Sequence, residues 1–310
     1  MTPGAPFSES SEMTVMTWHP CPSPSLRQPG VTTLSCLLAA VWPEPGPLVV
    51  VEADPSGGDL AARFGLTSTI GWSSLSAAVR RSGDATLLDP HLQRLPGGLP
   101  VLVSGSGGPF DAAGAPESGV VRSAFGSDGP AELAVVDLGR FPVGTDASPG
   151  WLERSDLSIL VVRDDPSAAL HVRARAAELL DRTGGALGVL LVGGVAFRCR
   201  ELAEFAGLPP LGDVPFDPAS AAVASGRSAS GRRLARSRLL VAMRRAARVA
   251  AIRVAGVDGA DVDADAVVAP DAAVPAAPGT DFGNSPIVSS RGRGRRVAPD
   301  PRDAVEEMAG

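Results

Sequence analysis

The chain has 310 residues, a hydrophobic content of 44% and a net charge of −6, with a pI of about 5.2. This length suffices for one large α/β domain or two small ones, and the acidic balance argues against general nucleic-acid binding. Because only 4% of the residues are aromatic and none is Tyr, we expect a core of Leu, Val and Ala, as in a parallel sheet covered by helices.

Cysteine usage and the N-terminus bear on the compartment. Cys21, Cys36 and Cys199 are an odd number and have no C-x-x-C spacing, which predicts reduced thiols and neither a zinc site nor a disulfide framework. The N-terminus lacks the pattern of a signal peptide, and no run reaches the ~18 apolar residues of a spanning helix. The sequence therefore predicts a cytoplasmic protein, with a peripheral position at the inner face of the membrane as an alternative.

The first elements surround a glycine turn. Residues 1–12 are polar and irregular and are predicted to be disordered, and residues 13–18 (MTVMTW) are a candidate strand. A turn at Gly30 then leads into an apolar helix over residues 33–41. Thr32 precedes this helix, where backbone N–H groups would face an anion.

Carboxylates follow the next predicted strand. The β-branched run at residues 49–51 predicts a buried strand, after which Glu52, Asp54 and Asp59 stand within EADPSGGD. A turn, an apolar helix, a buried strand and an acidic strand end form the first half of a nucleotide-binding α/β unit.

Strands and helices alternate along the rest of the chain. A strand over residues 134–136 ends in Asp137, and Gly139 follows it. This rhythm predicts an α/β fold with a mostly parallel, doubly wound sheet and helices on both faces. The remaining predicted strands are 99–103, 157–162 and 186–192, and the remaining predicted helices are 74–81, 166–180 and 200–205.

Four stretches resemble the MinD/ParA family of P-loop ATPases, one of which, residues 211–217, resembles its final strand and the loop that flanks the nucleotide base. Residues 30–33 (GVTT) stand where the family has G-K-T-T, and residues 52–58 (EADPSGG) stand where it has D-x-D-P-x-G-G. Asp137 with Gly139 resembles the family's second metal-side carboxylate and switch loop. The resemblance covers residues 31–250 and implies one P-loop NTPase-like α/β domain over residues 13–256.

The resemblance also implies a nucleotide site for ATP or ADP with Mg²⁺. The Mg²⁺ ligands it implies are Thr32, Glu52, Asp54 and Asp137, with Asp54 also the catalytic residue if the protein is active. Gly139 would sense the γ-phosphate through its N–H. The nucleotide contacts it implies are Gly30, Val31, Thr32, Thr33 and Gly139.

The chain departs from the family at the residue that binds phosphate. Val31 occupies the lysine position, and the whole chain contains no lysine. Residues 27–29 (RQP) replace the glycine-rich approach, and Pro29 has no N–H to donate. A unit charge about 4 Å from a phosphate oxygen is worth roughly 4 kcal/mol at an effective dielectric near 20. We therefore interpret the chain as a degenerate pseudo-ATPase, with residual phosphate binding and an ordinary Thr-capped turn both open.

Recognition of the base departs from the family as well. The glycines at 193 and 194 stand where the family often carries an Asn that reads adenine.

The end of the chain is basic and then of low complexity. Residues 227–253 contain nine arginines and no acid, and residues 237–254 have helical spacing, with an apolar side through Leu240 and Met243. This segment fits a membrane-surface helix as in MinD proteins, a DNA-contacting face as in ParA proteins, or a terminal helix with a solvated cationic face. Residues 257–310, rich in Ala, Asp, Pro and Arg, are predicted to be a disordered tail.

The resemblance implies a function in positioning. It favours a non-hydrolysing localisation or regulatory protein, similar to the actinobacterial CpaE/TadZ-like proteins of pilus and secretion machinery, with a protein partner and a homodimer as one arrangement. The alternative is an active ATP-dependent switch of the chromosome-partitioning or cell-division type. A third hypothesis is a DNA-associated partner that binds through its arginines.

Overall fold

The fold is taken from a computed structural model. It describes residues 11–17, 30–44, 46–54, 57–82, 88–104, 133–140, 151–152, 155–228 and 231–255. The predictions for residues 1–10 and 257–310 and for the approach to the turn at residues 27–29 lie outside the described residues.

The described strands form one eight-stranded sheet. Its order is β3-β4-β2-β5-β1-β6-β7-β8, and each pairing is parallel except that of β3 with β4. The strands are β1 (Ser11–Thr17), β2 (Leu48–Glu52), β3 (Gln93–Arg94), β4 (Pro100–Leu102), β5 (Leu133–Arg140), β6 (Leu157–Arg163), β7 (Leu187–Val192) and β8 (Pro210–Val214).

Described helices lie between β1 and β2, β2 and β4, β6 and β7, and β7 and β8, as the alternation in the sequence predicts. A short 3₁₀ helix at Asp89–His91 precedes β3. The α-helices described are α1 (Val31–Ala40), α2 (Leu60–Phe64), α3 (Trp72–Ser82), α4 (Pro166–Arg182), α5 (Cys199–Ala206), α6 (Pro218–Ala224), α7 (Gly231–Ala235) and α8 (Arg238–Val254).

The strand nearest the N-terminus lies in the middle of the sheet. β1 pairs in parallel with β5, where Ser11 faces Leu133, and with β6, where Met13 faces Leu157. The predicted strand at residues 13–18 is therefore confirmed. It begins earlier, at Ser11, so the predicted boundary after residue 12 falls inside the strand, because β5 offers a pairing partner from Leu133 onward.

Two apolar layers cover the sheet, because consecutive side chains of a strand point to opposite faces. On β2, Val49 and Val51 belong to the core beneath α3, α4 and α5. Val50 belongs to the core beneath α1, α6, α7 and α8. The prediction of a mostly parallel sheet with helices on both faces is confirmed.

Candidate functional site

The candidate site begins at the N-terminus of α1. Gly30 precedes the helix with φ 78°, in the left-handed region that glycine adopts without strain. Its carbonyl accepts the hydrogen bond from Leu34 N at 3.0 Å. The predicted turn and helix are therefore present, and Thr32 lies half-buried in the first helical turn.

Val31 is part of the hydrophobic core. Its side chain is only 6% exposed and packs with the apolar residues beneath α1 and α8. The residue in the family's lysine position therefore contributes to packing, and a lysine at this point of the helix would meet apolar neighbours. A charge at such a position is costly unless it is paired.

A cation that the sequence reasoning missed contacts the first turn of α1 from the neighbouring helix α2. The Arg63 guanidinium donates to the Thr33 hydroxyl at 3.4 Å and forms a salt bridge with Asp59. The four-residue spacing of Asp59 and Arg63 on a helix is the signal that could have found the salt bridge. Arg63 is thus already paired with a carboxylate.

Glu52 is the most heavily bonded acid of the site. Its side chain is 1% exposed. Oε1 accepts hydrogen bonds from Asp59 N at 2.7 Å and Leu60 N at 2.9 Å, and Oε2 accepts one from Ser104 N at 2.9 Å. Burial raises the pKa of Glu52, and these three amides oppose the rise. Glu52 therefore joins the start of α2 to the end of β4.

The surroundings of Glu52 leave it little freedom to move. A Cβ on Gly58 would lie 2.1 Å from the Glu52 carboxyl carbon, so only glycine fits at this point of the turn. The Glu52 carbonyl accepts a hydrogen bond from Trp72 Nε1 at 2.9 Å. Asp59 occupies the N-cap position of α2, but its side chain makes no capping bond; the Glu52 carboxylate accepts the hydrogen bonds of the Asp59 and Leu60 amides.

Asp137 lies directly opposite Glu52 in the register of β2 and β5. It is 1% exposed, and its Oδ1 accepts a hydrogen bond from Gly139 N at 2.9 Å. Its Oδ2 has no hydrogen-bond partner among the described residues. Burial raises the pKa of Asp137 to about 7, while the Thr32 hydroxyl and the Gly139 amide oppose the rise.

Asp54 completes the group of acids. A Cβ on Gly139, whose φ is +65°, would lie 2.1 Å from the Asp54 carboxyl carbon, so the Asp54 carboxylate packs directly against this glycine. The charge of Asp54, like that of Glu52, raises the pKa of Asp137. The predicted residues Thr32, Glu52, Asp54 and Asp137 are therefore brought together at the carboxyl ends of β2 and β5.

The residues present do not fit a Mg²⁺–triphosphate well. The lysine position is apolar, Glu52 already accepts three amides, and the Gly139 N–H is directed at Asp137. Across the described ranges, no group of three or more His, Cys, Asp or Glu side chains is arranged to hold a metal ion. The other oxygen-bearing side chains of the described site are Thr32, Asp54 and Asp137.

The loop after β7, where the family reads adenine, is held by an acid that sequence reasoning missed. Asp164 Oδ2 accepts hydrogen bonds from Val195 N and from Ala196 N, the latter at 2.7 Å, and Oδ1 accepts one from Phe197 N at 3.2 Å. A Cβ on Gly193 would lie 2.6 Å from Asp164 Cβ. The glycine at 193 is thus required by this packing.

Comparison with solved structures identifies the architecture. A ParA family ATPase from Chlorobium tepidum TLS aligns with a TM-score of 0.58 at 16% identity, covering 78% of this chain and 98% of that one. The chain has the MinD/ParA fold. The septum site-determining protein MinD of Pyrococcus horikoshii OT3, complexed with Mg-ADP, gives a TM-score of 0.54 at 14% identity over 78% of this chain and 98% of its own. The MinC:MinD cell division complex of Aquifex aeolicus gives 0.56 at 15% identity over 77% and 94%.

Sequence comparison finds no relative. No protein-family profile and no curated protein sequence matches the chain. At identities this low, the likeness to MinD and ParA structures establishes the fold alone.

Proposed function

We propose that this protein is a non-hydrolysing member of the MinD/ParA fold that acts by binding and positioning a macromolecular partner. The observation that carries the proposal is Val31, which fills the lysine position with a buried apolar side chain in a chain that has no lysine. A P-loop needs this cation to reach the β- and γ-phosphate oxygens.

The magnitude of the missing interaction supports the proposal. A lysine about 4 Å from a phosphate oxygen contributes roughly 4 kcal/mol, which corresponds to on the order of a thousandfold in binding or rate. Three carboxylates facing a triphosphate without a compensating cation add repulsion. Arg63, whose guanidinium contacts Thr33 of α1, is already paired with Asp59.

The partner belongs to the same proposal. The MinC:MinD complex is a protein–protein assembly on this fold, and the sequence resemblance to CpaE/TadZ-like proteins favours pilus or secretion machinery. The rival proposal is an ATP-dependent positioning switch that dimerises around ATP. Genes for pilus or secretion ATPases next to this one would favour the former.

Calorimetry and turnover measurements test the proposal. Titration of the purified protein with ATP-Mg²⁺ and with ADP should give affinities on the order of a thousandfold weaker than the same titrations of Pyrococcus horikoshii MinD. Mg²⁺-dependent ATP turnover should not exceed that of Thr32→Ala and Asp54→Ala. An active switch would show turnover in the wild-type protein that these two substitutions abolish.

A second candidate function is contact with an anionic surface through α7 and α8. Six arginines of this region are exposed, and no acid lies between residues 227 and 253. The predicted apolar side of the helix, including Leu240 and Met243, is buried against the fold. No described helix is long and apolar enough to cross a membrane. The exposed arginines are Arg232, Arg233, Arg236, Arg238, Arg244 and Arg245.

Because its apolar side is buried, this surface is suited to electrostatic contact and not to insertion into lipid. We expect binding to duplex DNA whose association constant falls steeply with salt, as release of counterions requires. Replacing Arg244, Arg245 and Arg248 by Gln should weaken it and reduce the slope of log K against log[salt] by roughly two to three. Replacing Arg80, Arg94 and Arg200, which lie elsewhere on the surface, is the matched control. Equal losses in both triple variants would contradict a defined surface.

A further inference from the structure

An apolar groove lies between α4 and α5, on the face of the sheet opposite α1. Its volume is about 400 Å³, and the polar residue on its rim is Glu201. Its apolar walls are Pro166, Ala169 and Leu170 of α4, Leu202 and Phe205 of α5, and Phe197 of the loop before α5.

The groove exposes side chains that are usually buried. Leu170 is 63% exposed and Phe205 is 40% exposed. The Arg173 guanidinium lies 4.9 Å from the centre of the Phe205 ring and donates to the Phe205 carbonyl. The ring is therefore held in place with one face covered by a cation. Large exposed side chains around an apolar groove indicate an occupant.

The size of the groove limits what can occupy it. α5 has 8 residues and is therefore about 12 Å long. A stable interface between two copies of a protein buries roughly 800 Å² on each partner, which is much more than a groove of this length offers. A short peptide segment fits better, particularly one that is attached to the same molecule.

α8 ends beside the edge strand of the sheet, against which α5 packs on the other face. Arg253, near the end of α8, donates to the Pro210 carbonyl at 3.4 Å. Pro210 begins β8, the edge strand of the described sheet, and α5 ends at Ala206, shortly before it. The described chain therefore ends at Ala255, beside the edge strand that α5 also contacts.

We propose that residues 282–288 (FGNSPIV) of the same chain bind in this groove. Residues 256–310 contain one aromatic residue, Phe282, and one isoleucine, Ile287. Both lie within this short segment. The intervening residues 256–281 span up to about 90 Å when extended, so the tether does not limit the reach. Attachment to the same chain gives the segment an effective concentration in the millimolar range, which compensates for a small interface.

Disulfide trapping in the full chain tests the proposal. Leu170→Cys and Ile287→Cys are combined in a chain carrying Cys21→Ser, and the intramolecular disulfide is followed under mild oxidation. The matched control pairs Ile287→Cys with Val241→Cys, which is 44% exposed on α8 in the opposite layer. The disulfide between the cysteines at 170 and 287 should form about tenfold faster than the one between the cysteines at 241 and 287. Adding Phe282→Asp should make the two rates equal.

Equal rates of disulfide formation in the two pairs would overturn the proposal. Disulfide-linked dimers in place of closed monomers would also overturn it, because they would show that a second copy binds in the groove. Hydrogen exchange gives a readout without cysteines. The amides of α5 should exchange faster in Phe282→Asp than in the wild type, and unchanged exchange would also overturn the proposal. Thermal denaturation of each variant verifies that the fold is intact.

Discussion

Replacing Glu52 by Ala should lower the free energy of unfolding by about 3 to 5 kcal/mol. The substitution leaves the buried amides of Leu60 and Ser104 and the partly buried amide of Asp59 without their acceptor. Unsatisfied buried donors cost about 1 to 3 kcal/mol each, and release of the buried carboxylate offsets part of the sum. Urea denaturation followed by tryptophan fluorescence measures the change, because Trp72 and Trp151 are buried and in contact.

The matched control is Asp59→Ala in the same turn. The Asp59 side chain is 53% exposed and pairs with Arg63 on the surface, so its loss should cost less than about 1 kcal/mol. The loss in Glu52→Ala should be the same with Mg²⁺ or with EDTA, because its partners are backbone amides. A loss in Glu52→Ala no greater than that in Asp59→Ala would refute the structural role.

Asp137 should make the protein less stable as the pH rises from about 4 to about 7. Burial raises the pKa of Asp137 from 3.8 to about 7. The folded protein therefore retains a proton that the unfolded chain has already released, so the free energy of unfolding falls across this interval and is level above it. A pKa difference of this size corresponds to on the order of 4 kcal/mol.

Comparison of the wild type with Asp137→Asn at each pH isolates this effect. Asn keeps an acceptor for the Gly139 amide but has no charge, so the variant should be more stable than the wild type at pH 8, with the advantage vanishing near pH 4. Asp165 and Asp217 have lowered pKa values, so their stabilisation is lost only below about pH 4. His91 titrates in both proteins and cancels in the difference, whereas the interactions of Asp137 with Glu52 and Asp54 are part of the difference. A pH-independent difference would contradict the prediction.

Much of the fold followed from local patterns. The β-branched run at residues 49–51 and the apolar runs of β6 and β7 predicted buried strands, and their spacing predicted parallel pairing with helices on both faces. The two-residue strand β3 escaped detection, because Gln93 and Arg94 show neither apolar alternation nor a bounded run.

The sequence predicted which residues form the site, but not which hydrogen bonds they make. The acids at 52, 54 and 137 follow strands, so their approach could be inferred from parallel pairing. That Glu52 binds the amide of Ser104 depends on β4 lying next to β2, where Val51 faces Leu102. The order of strands in the sheet cannot be read from residue types, because strands pair through backbone groups that nearly all residue types share. For the same reason the role of Asp164 in the loop after β7 had no signal in the sequence.

The central place of β1 has a consequence for synthesis on the ribosome. Its two neighbours, β5 and β6, are encoded far downstream, so β1 leaves the exit tunnel roughly 7 to 30 s before both are available at ordinary elongation rates. Throughout that interval it has unpaired edges on both sides, a state prone to intermolecular association. We therefore expect this segment to be most prone to intermolecular pairing before β5 and β6 have been synthesised.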